Sequence, residues 1–187
     1  MTEAIFQHFQ NHIQTTMAVG ESCTQSVSNA AHKLAATLLA GNTIYSCGQE
    51  HSLPLSTLFV KYLTSGYLIE RPSFPALDLE TIANSSKNDD YYGRALSLYG
   101  QADDALVVFG IGNNNKILKG AIDAASDKGM SVILISARDD SRLVDALGDN
   151  ATKIATAEFG QPSVATANFL ILQCLCNLID AEIFGGD

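Results

Sequence analysis

The residues whose types suit chemistry lie in two short glycine-bearing loops. The first reads Cys47-Gly48-Gln49-Glu50-His51-Ser52. A small-residue turn leading into a helix can hold an anion with its backbone N–H groups. Ser52 adds a hydroxyl. Glu50 opposes this, because a carboxylate where a phosphate would sit repels it. Glu50 and His51 are the right types for an acid–base pair, although adjacent side chains rarely converge on one substrate. The second loop reads Gly110-Ile111-Gly112-Asn113-Asn114-Asn115. It has G-x-G but neither the third glycine of a dinucleotide fingerprint nor a following acidic residue at a suitable distance, so a nicotinamide site is not expected. Its asparagines suit hydrogen bonding to a neutral ligand, or simply the cap of a strand-to-helix turn.

Other candidates carry less. His8, His12 and His32 fall on predicted helices and are expected to face solvent or an interface. His8 and His12 are four apart and share a helix face. No third ligand accompanies them, so no metal site is expected there. Cys23, Cys47, Cys174 and Cys176 form no C-x-x-C pair and read as reduced core or helix residues. There is no G-x-S-x-G elbow and no Walker motif. Asp89-Asp90 reads as a charge pair at a helix start, where the dipole favours it.

Strands and helices must position those loops. Ile5, Phe6, Phe9, Ile13 and Met17 recur at helical spacing. Thr24 to Leu39 continues with Val27, Ala31, Leu34 and Leu38 on one face, and Gly41-Asn42 ends it. The first forty residues are therefore predicted to form two helices. A β-rich run over 43–47 leads into the first loop. A helix starts near Pro54 and stops at Ser65-Gly66. Residues 75–79 are a short strand, 89–99 a helix and 105–109 an uninterrupted apolar strand of the kind buried in parallel sheets. The second loop follows, then a helix through Ile117 to Ala125, a strand over 131–136, a short helix over 141–147, a weak strand over 153–156 and a long helix from Pro162 to Phe184. Strand, turn and helix in alternation predict an α/β fold with a parallel sheet and right-handed crossovers. Ligands in such sheets bind beyond the C-terminal strand ends, which singles out 48–53 and 110–116.

The 187 residues fit one domain, 1–187, with helices over 1–41 and the α/β core over 42–187. The leading helices are not needed by the α/β unit and are expected to supply an oligomer interface. The net charge of −9 makes a poor phosphate-backbone binder; a basic protein partner is favoured instead. The start, MTEAIFQHFQ, lacks the basic and apolar regions of a signal peptide. The apolar run from Phe159 to Ile179 is interrupted by Gln161, Asn168, Gln173 and Asn177 and reads as a buried helix rather than a membrane span. A cytoplasmic protein is expected.

Four stretches give the chain a family resemblance. They are Gly41-Asn42-x-Ile44 into Cys47-Gly48, Glu70-Arg71-Pro72-Ser73-x-Pro75-Ala76, Lys128-Gly129-Met130-x-Val132, and Cys174-Leu175-Cys176-x-Leu178-Ile179-Asp180 followed by Ile183-Phe184. Over nearly its whole length the chain resembles the SIS (sugar isomerase) family, which includes phosphoheptose isomerases and DiaA-like initiator-associating proteins. The resemblance implies a three-layer αβα, flavodoxin-like (Rossmann-like) domain. It implies ligand-binding positions at Gly48, Gln49, His51, Ser52, Asn84, Ser85, Gly112, Asn113, Asn114 and Asn115.

The family's loop motifs are degraded here. C-G-N-G-x-S keeps only Cys47, Gly48 and Ser52, and S-T-x-G-N-S keeps only Asn114. Loss of several charge-assisted donors, each worth about 1.5–3 kcal/mol, implies much weaker phosphate binding. The isomerases resemble one another in four zinc-binding residues whose positions are here Leu58, Tyr62, Ala165 and Gln173. Ser85 stands for the acidic residue of their A-N-D segment. The resemblance thus implies a protein without isomerisation chemistry or a cofactor. It implies instead a homotetramer that binds the replication initiator DnaA through Ile183 and Phe184. A sugar-phosphate sensor using Ser52, Asn114 and backbone amides is the alternative. An isomerase with a site rebuilt on Glu50 and His51 is a third reading.

Overall fold

The computed structural model describes residues 2–83, 90–111, 116–137, 141–156 and 161–185. Five parallel strands form one sheet in the order β2-β1-β3-β4-β5. They are β1 (Ile44–Gly48), β2 (Ala76–Asp78), β3 (Ala105–Gly110), β4 (Ser131–Ser136) and β5 (Ala151–Ala155). The central pairing sets Ile44 against Ala105 and Gly48 against Phe109.

Period-two alternation assigns each strand's side chains to one of two cores. Ile44, Val107, Phe109, Ile133 and Ile135 face helices α1 (Thr2–Leu39), α2 (Leu53–Ser65) and α7 (Gln161–Phe184). Tyr45, Cys47, Leu106, Val108, Val132 and Leu134 face α4 (Tyr91–Tyr99) and α5 (Lys116–Asp127), with Leu79 of α3 (Leu79–Ile82) and Leu143 of α6 (Ser141–Val144) at the margins. The result is the three-layer αβα sandwich that the sequence predicts. The strand order reverses direction between β1 and β3, so the switch-point crevice opens beyond Gly48 and Gly110.

The predicted helical pair is corrected to one helix. α1 runs unbroken for 38 residues, roughly 57 Å at 1.5 Å per residue. Gly20 lowers helix propensity by only about 1 kcal/mol, and Val19 and Cys23 on either side of it are buried, so packing holds the helix through that point. Its end is as the sequence predicts: Gly41 takes φ +82°, and Gly41 and Asn42 donate N–H to the carbonyls of Leu38 and Thr37. Two short elements have no helical period to announce them. One is a 3-10 turn over Glu50–Ser52. The other is α3, started by Asp78, whose carboxylate accepts the Glu80 N–H at 3.1 Å.

Helix α7 is long and apolar enough over Ser163–Phe184 to cross a membrane, but half of that stretch is buried within the fold. It packs along α1 and α2, which supports the core-helix reading.

Candidate functional site

Loop one closes on itself at the end of β1. The Gln49 N–H donates to Ser52 Oγ at 2.9 Å, and that hydroxyl donates back to the Gln49 carbonyl at 2.9 Å. The Ser52 N–H also reaches the Gln49 carbonyl, at 3.0 Å. Ser52 is fully buried, so its single hydroxyl hydrogen serves the turn. Glu50 adopts φ +52°, a left-handed conformation that costs a side-chain-bearing residue about 1–2 kcal/mol. Glu50 and His51 are both exposed. A Cβ on Gly48 would lie 2.4 Å from the Ser52 carbonyl oxygen, so only glycine fits there. The side-chain oxygen of Gln49, Oε1, is buried without a partner among the described residues.

Two further elements brace this turn. The Tyr92 hydroxyl lies 2.9 Å from the Gly48 carbonyl and 2.7 Å from Glu80 Oε2, sharing one hydrogen between two acceptors. Burial first, and then the bond to Glu80, push the ionisation of this phenol far up, so it stays a neutral donor. On the other side of β1, Ser56 donates to Ser46 and to Asp78, and Thr57 donates to Asp78 at 2.7 Å. The described side of this turn thus carries an exposed carboxylate at Glu50 and a second one, Glu80, bonded to Tyr92. Asn84, Ser85, Gly112, Asn113, Asn114 and Asn115 lie outside the described residues, as does Asp89.

The positions that the resemblance assigns to an isomerase's zinc centre are apolar in character. Leu58, Tyr62 and Ala165 are partly buried and packed against the α1–α2–α7 core, and Tyr62 meets the Tyr67 ring at 4.7 Å. Leucine and alanine offer no donor, and a tyrosine with a glutamine does not make a zinc site. The donor set does not fit the metal.

The end of α7 is built differently. Arg71 Nε donates to Asp180 Oδ1 at 2.6 Å, with the two side chains only 2% and 5% exposed. Its remaining nitrogens cap the last turn of α2 through the carbonyls of Tyr62 and Leu63, and reach that of Pro72. The guanidinium lies 3.8 Å from the centre of the Phe74 ring. Phe74 in turn stacks on Phe184, 5.8 Å away and 16° from parallel. Phe184 is 47% exposed, while Ile183 packs partly into the core. His32 of α1 pairs with Glu182 at 2.6 Å. None of these long-range pairings has a local signal; only the quoted Arg71 and Asp180 flagged their two segments.

A profile described as the SIS domain matches residues 7–137. The chain belongs to the SIS family. It is 29% identical to a phosphoheptose isomerase from Alkalilimnicola ehrlichii, over 98% of this chain and 97% of the relative. It is 30% identical, with the same coverage, to the DnaA initiator-associating protein DiaA of Escherichia coli O1:K1 / APEC. Among solved structures, the fold of this SIS domain matches a phosphoheptose isomerase from Francisella tularensis with TM-score 0.87 and 22% identity, over 96% of this chain and 97% of that one.

The free faces of this SIS domain are also distinctive. No residue from Thr2 to Gln14 is buried, yet Ile5, Phe6, Phe9, Ile13 and Met17 are each more than half exposed. They continue, at helical spacing, the stripe that Val19, Cys23, Val27, Ala31 and Leu34 bury further along α1. An apolar groove between α1 and α7, lined by Cys23, Val27, Leu170, Ile171, Cys174 and Leu178 among others, extends that surface.

Proposed function

We propose that this SIS protein is a cytoplasmic, non-catalytic homo-oligomer of the DiaA type, which binds the replication initiator DnaA and promotes its assembly at the chromosomal origin. The observation that carries the reading is Phe184. It is a half-exposed aromatic on a helix end that a buried ion pair and a cation–π contact hold rigid, which suits a binding anchor. The replaced zinc-site residues Leu58, Tyr62, Ala165 and Gln173 agree with a role in binding rather than isomerisation. The overhanging apolar stripe of α1 suits pairing with other copies, with a tetramer the expected state. Several copies of the anchor in one particle raise avidity without any new contact.

The test is capture of the host's own DnaA by the wild-type oligomer and by Phe184→Ala, with particle mass followed by light scattering. Capture lost in the variant at unchanged mass supports the reading. Failure of the well-folded wild-type oligomer to capture DnaA overturns it.

A second reading, a sugar-phosphate sensor, rests on the cramped Gly48–Ser52 turn at the switch point. A saturable thermal shift with sedoheptulose 7-phosphate and no turnover supports it. Turnover abolished by His51→Ala supports instead an isomerase rebuilt on Glu50 and His51.

A further inference from the structure

Phe184 does not stand alone. The segment between α2 and β2 leaves the helix through Gly66 at φ +84° and brings Phe74 onto the Phe184 ring. On the way it presents Leu68 and Ile69, which are 67% and 44% exposed. Both lie in the tight turn that Gly66 opens, where a Cβ on that glycine would fall 2.4 Å from the Ile69 carbonyl oxygen.

This segment belongs to no helix or strand, yet its backbone is tied down. Arg71 binds Asp180 and the carbonyls of Tyr62, Leu63 and Pro72. The Ser73 hydroxyl donates to the Thr64 carbonyl at 2.6 Å. The Phe74 N–H donates to the Leu63 carbonyl at 3.1 Å. Apolar side chains on a backbone held in this way have little freedom left to lose on binding.

Charge selects the partner. From Tyr67 to Pro75 the one exposed charged residue is Glu70, because Arg71 is buried against Asp180. At the end of α7 the exposed charged residue is Glu182, beside His32. The nearest lysine on α2, Lys61, stands a turn back from the helix end. An apolar surface edged by carboxylates fits a segment whose apolar side chains are flanked by Lys or Arg. A second copy of this chain does not offer that pattern. Its apolar stripe on α1 has no Lys or Arg before Lys33, and α7 has none at all.

We propose that Leu68, Ile69 and Glu70 extend the Phe184 anchor into one docking surface for a basic, amphipathic segment of the partner protein. The inference rests on the reading of Phe184 as a partner contact, under which that segment belongs to DnaA. The two apolar side chains add contact area, and Glu70 recognises the flanking cation.

The test is capture of the host's DnaA by the wild-type oligomer, by Leu68→Ser with Ile69→Ser, by Glu70→Lys and by Phe184→Ala, with particle mass followed by light scattering. Leu98→Ser, which alters an exposed leucine on the other side of the sheet, is the control. The double serine variant should weaken capture about tenfold or more at unchanged mass. Glu70→Lys should also weaken it and make it less sensitive to salt, while Leu98→Ser leaves it unchanged. Full capture by the double serine variant, with capture lost in Phe184→Ala, overturns this inference and leaves the Phe184 reading standing. No capture by the wild-type oligomer overturns both. A fall in particle mass in the double serine variant assigns the segment to contacts between copies and overturns the inference, and capture strengthened by Glu70→Lys overturns the basic partner.

Discussion

Arg71 and Asp180 join two helix ends that lie 109 residues apart through one shielded contact of 2.6 Å. Removing either partner leaves the other charge buried. Arg71→Ala or Asp180→Ala is therefore expected to cost about 3–5 kcal/mol, read as a lower urea midpoint. The double variant Arg71→Met with Asp180→Leu should regain part of that loss. It will not regain all of it, because Arg71 also caps the carbonyls of Tyr62 and Leu63.

The turn at the end of β1 is equally intolerant, but for a steric reason. Gly48→Ala places a methyl 2.4 Å from a backbone carbonyl, and backbone cannot swing aside as a side-chain tip can. A loss of about 1–3 kcal/mol is expected, with the thermal midpoint falling accordingly. Gly41→Ala meets no neighbour but does require φ +82°, so it should cost less, about 1–2 kcal/mol.

Two buried thiols set a pH dependence. Burial, reinforced by Asp78, pushes the Cys47 thiol far up. Burial, reinforced by Asp180, pushes Cys176 up to about 12. In the unfolded chain a thiol ionises near about 8.5. The folded form then holds protons that the unfolded form has lost, so the thiol contribution to stability is complete below that pH and declines above it. Each thiol should contribute a slope of up to about 1.4 kcal/mol per pH unit. The urea midpoint is expected to fall between pH 8.5 and 10.5, with a shallower fall in Cys47→Ala. Across the same range the exposed Cys174 should react first with a thiol reagent, and Cys174→Ser should remove that fast phase.

The stripe on the first half of α1 predicts the assembly state. Phe9 and Ile13 are 63% and 58% exposed. Phe9→Glu with Ile13→Glu should lower the particle mass measured by light scattering without loss of helix content. An unchanged mass would mean that another face holds the copies together.

The sheet and its helices were legible in the sequence because each writes its own period. Ala105 to Phe109 is apolar without a break, and β3 is buried on both faces. Gly41 and Gly66 end their helices at positive φ, as a stop signal should. The division of α1 into two failed because a gap in a pattern is not a break in a helix; Val19 and Cys23 pack across it. The site was less legible. The hydroxyl of Ser52 suggests a donor to a ligand, whereas its hydrogen is given to the Gln49 carbonyl. That exchange depends on the backbone path of a turn, which residue types do not specify. Tyr92 over Gly48 and Arg71 on Asp180 arise only when distant segments meet.

The packing of α1 against α7 closes one side of the sheet: His32 of α1 meets Glu182 of α7, and Cys23 of α1 donates to the Ala155 carbonyl at the end of β5. During synthesis α7 is made after every strand that it covers. Until then one side of β1, β3 and β4 has only α1 and α2 to cover it, and the apolar stripe of α1 has no mate. The sheet is therefore not fully covered until α7 has emerged. Before then, the nascent chain exposes a hydrophobic sheet face that chaperones would be expected to shield.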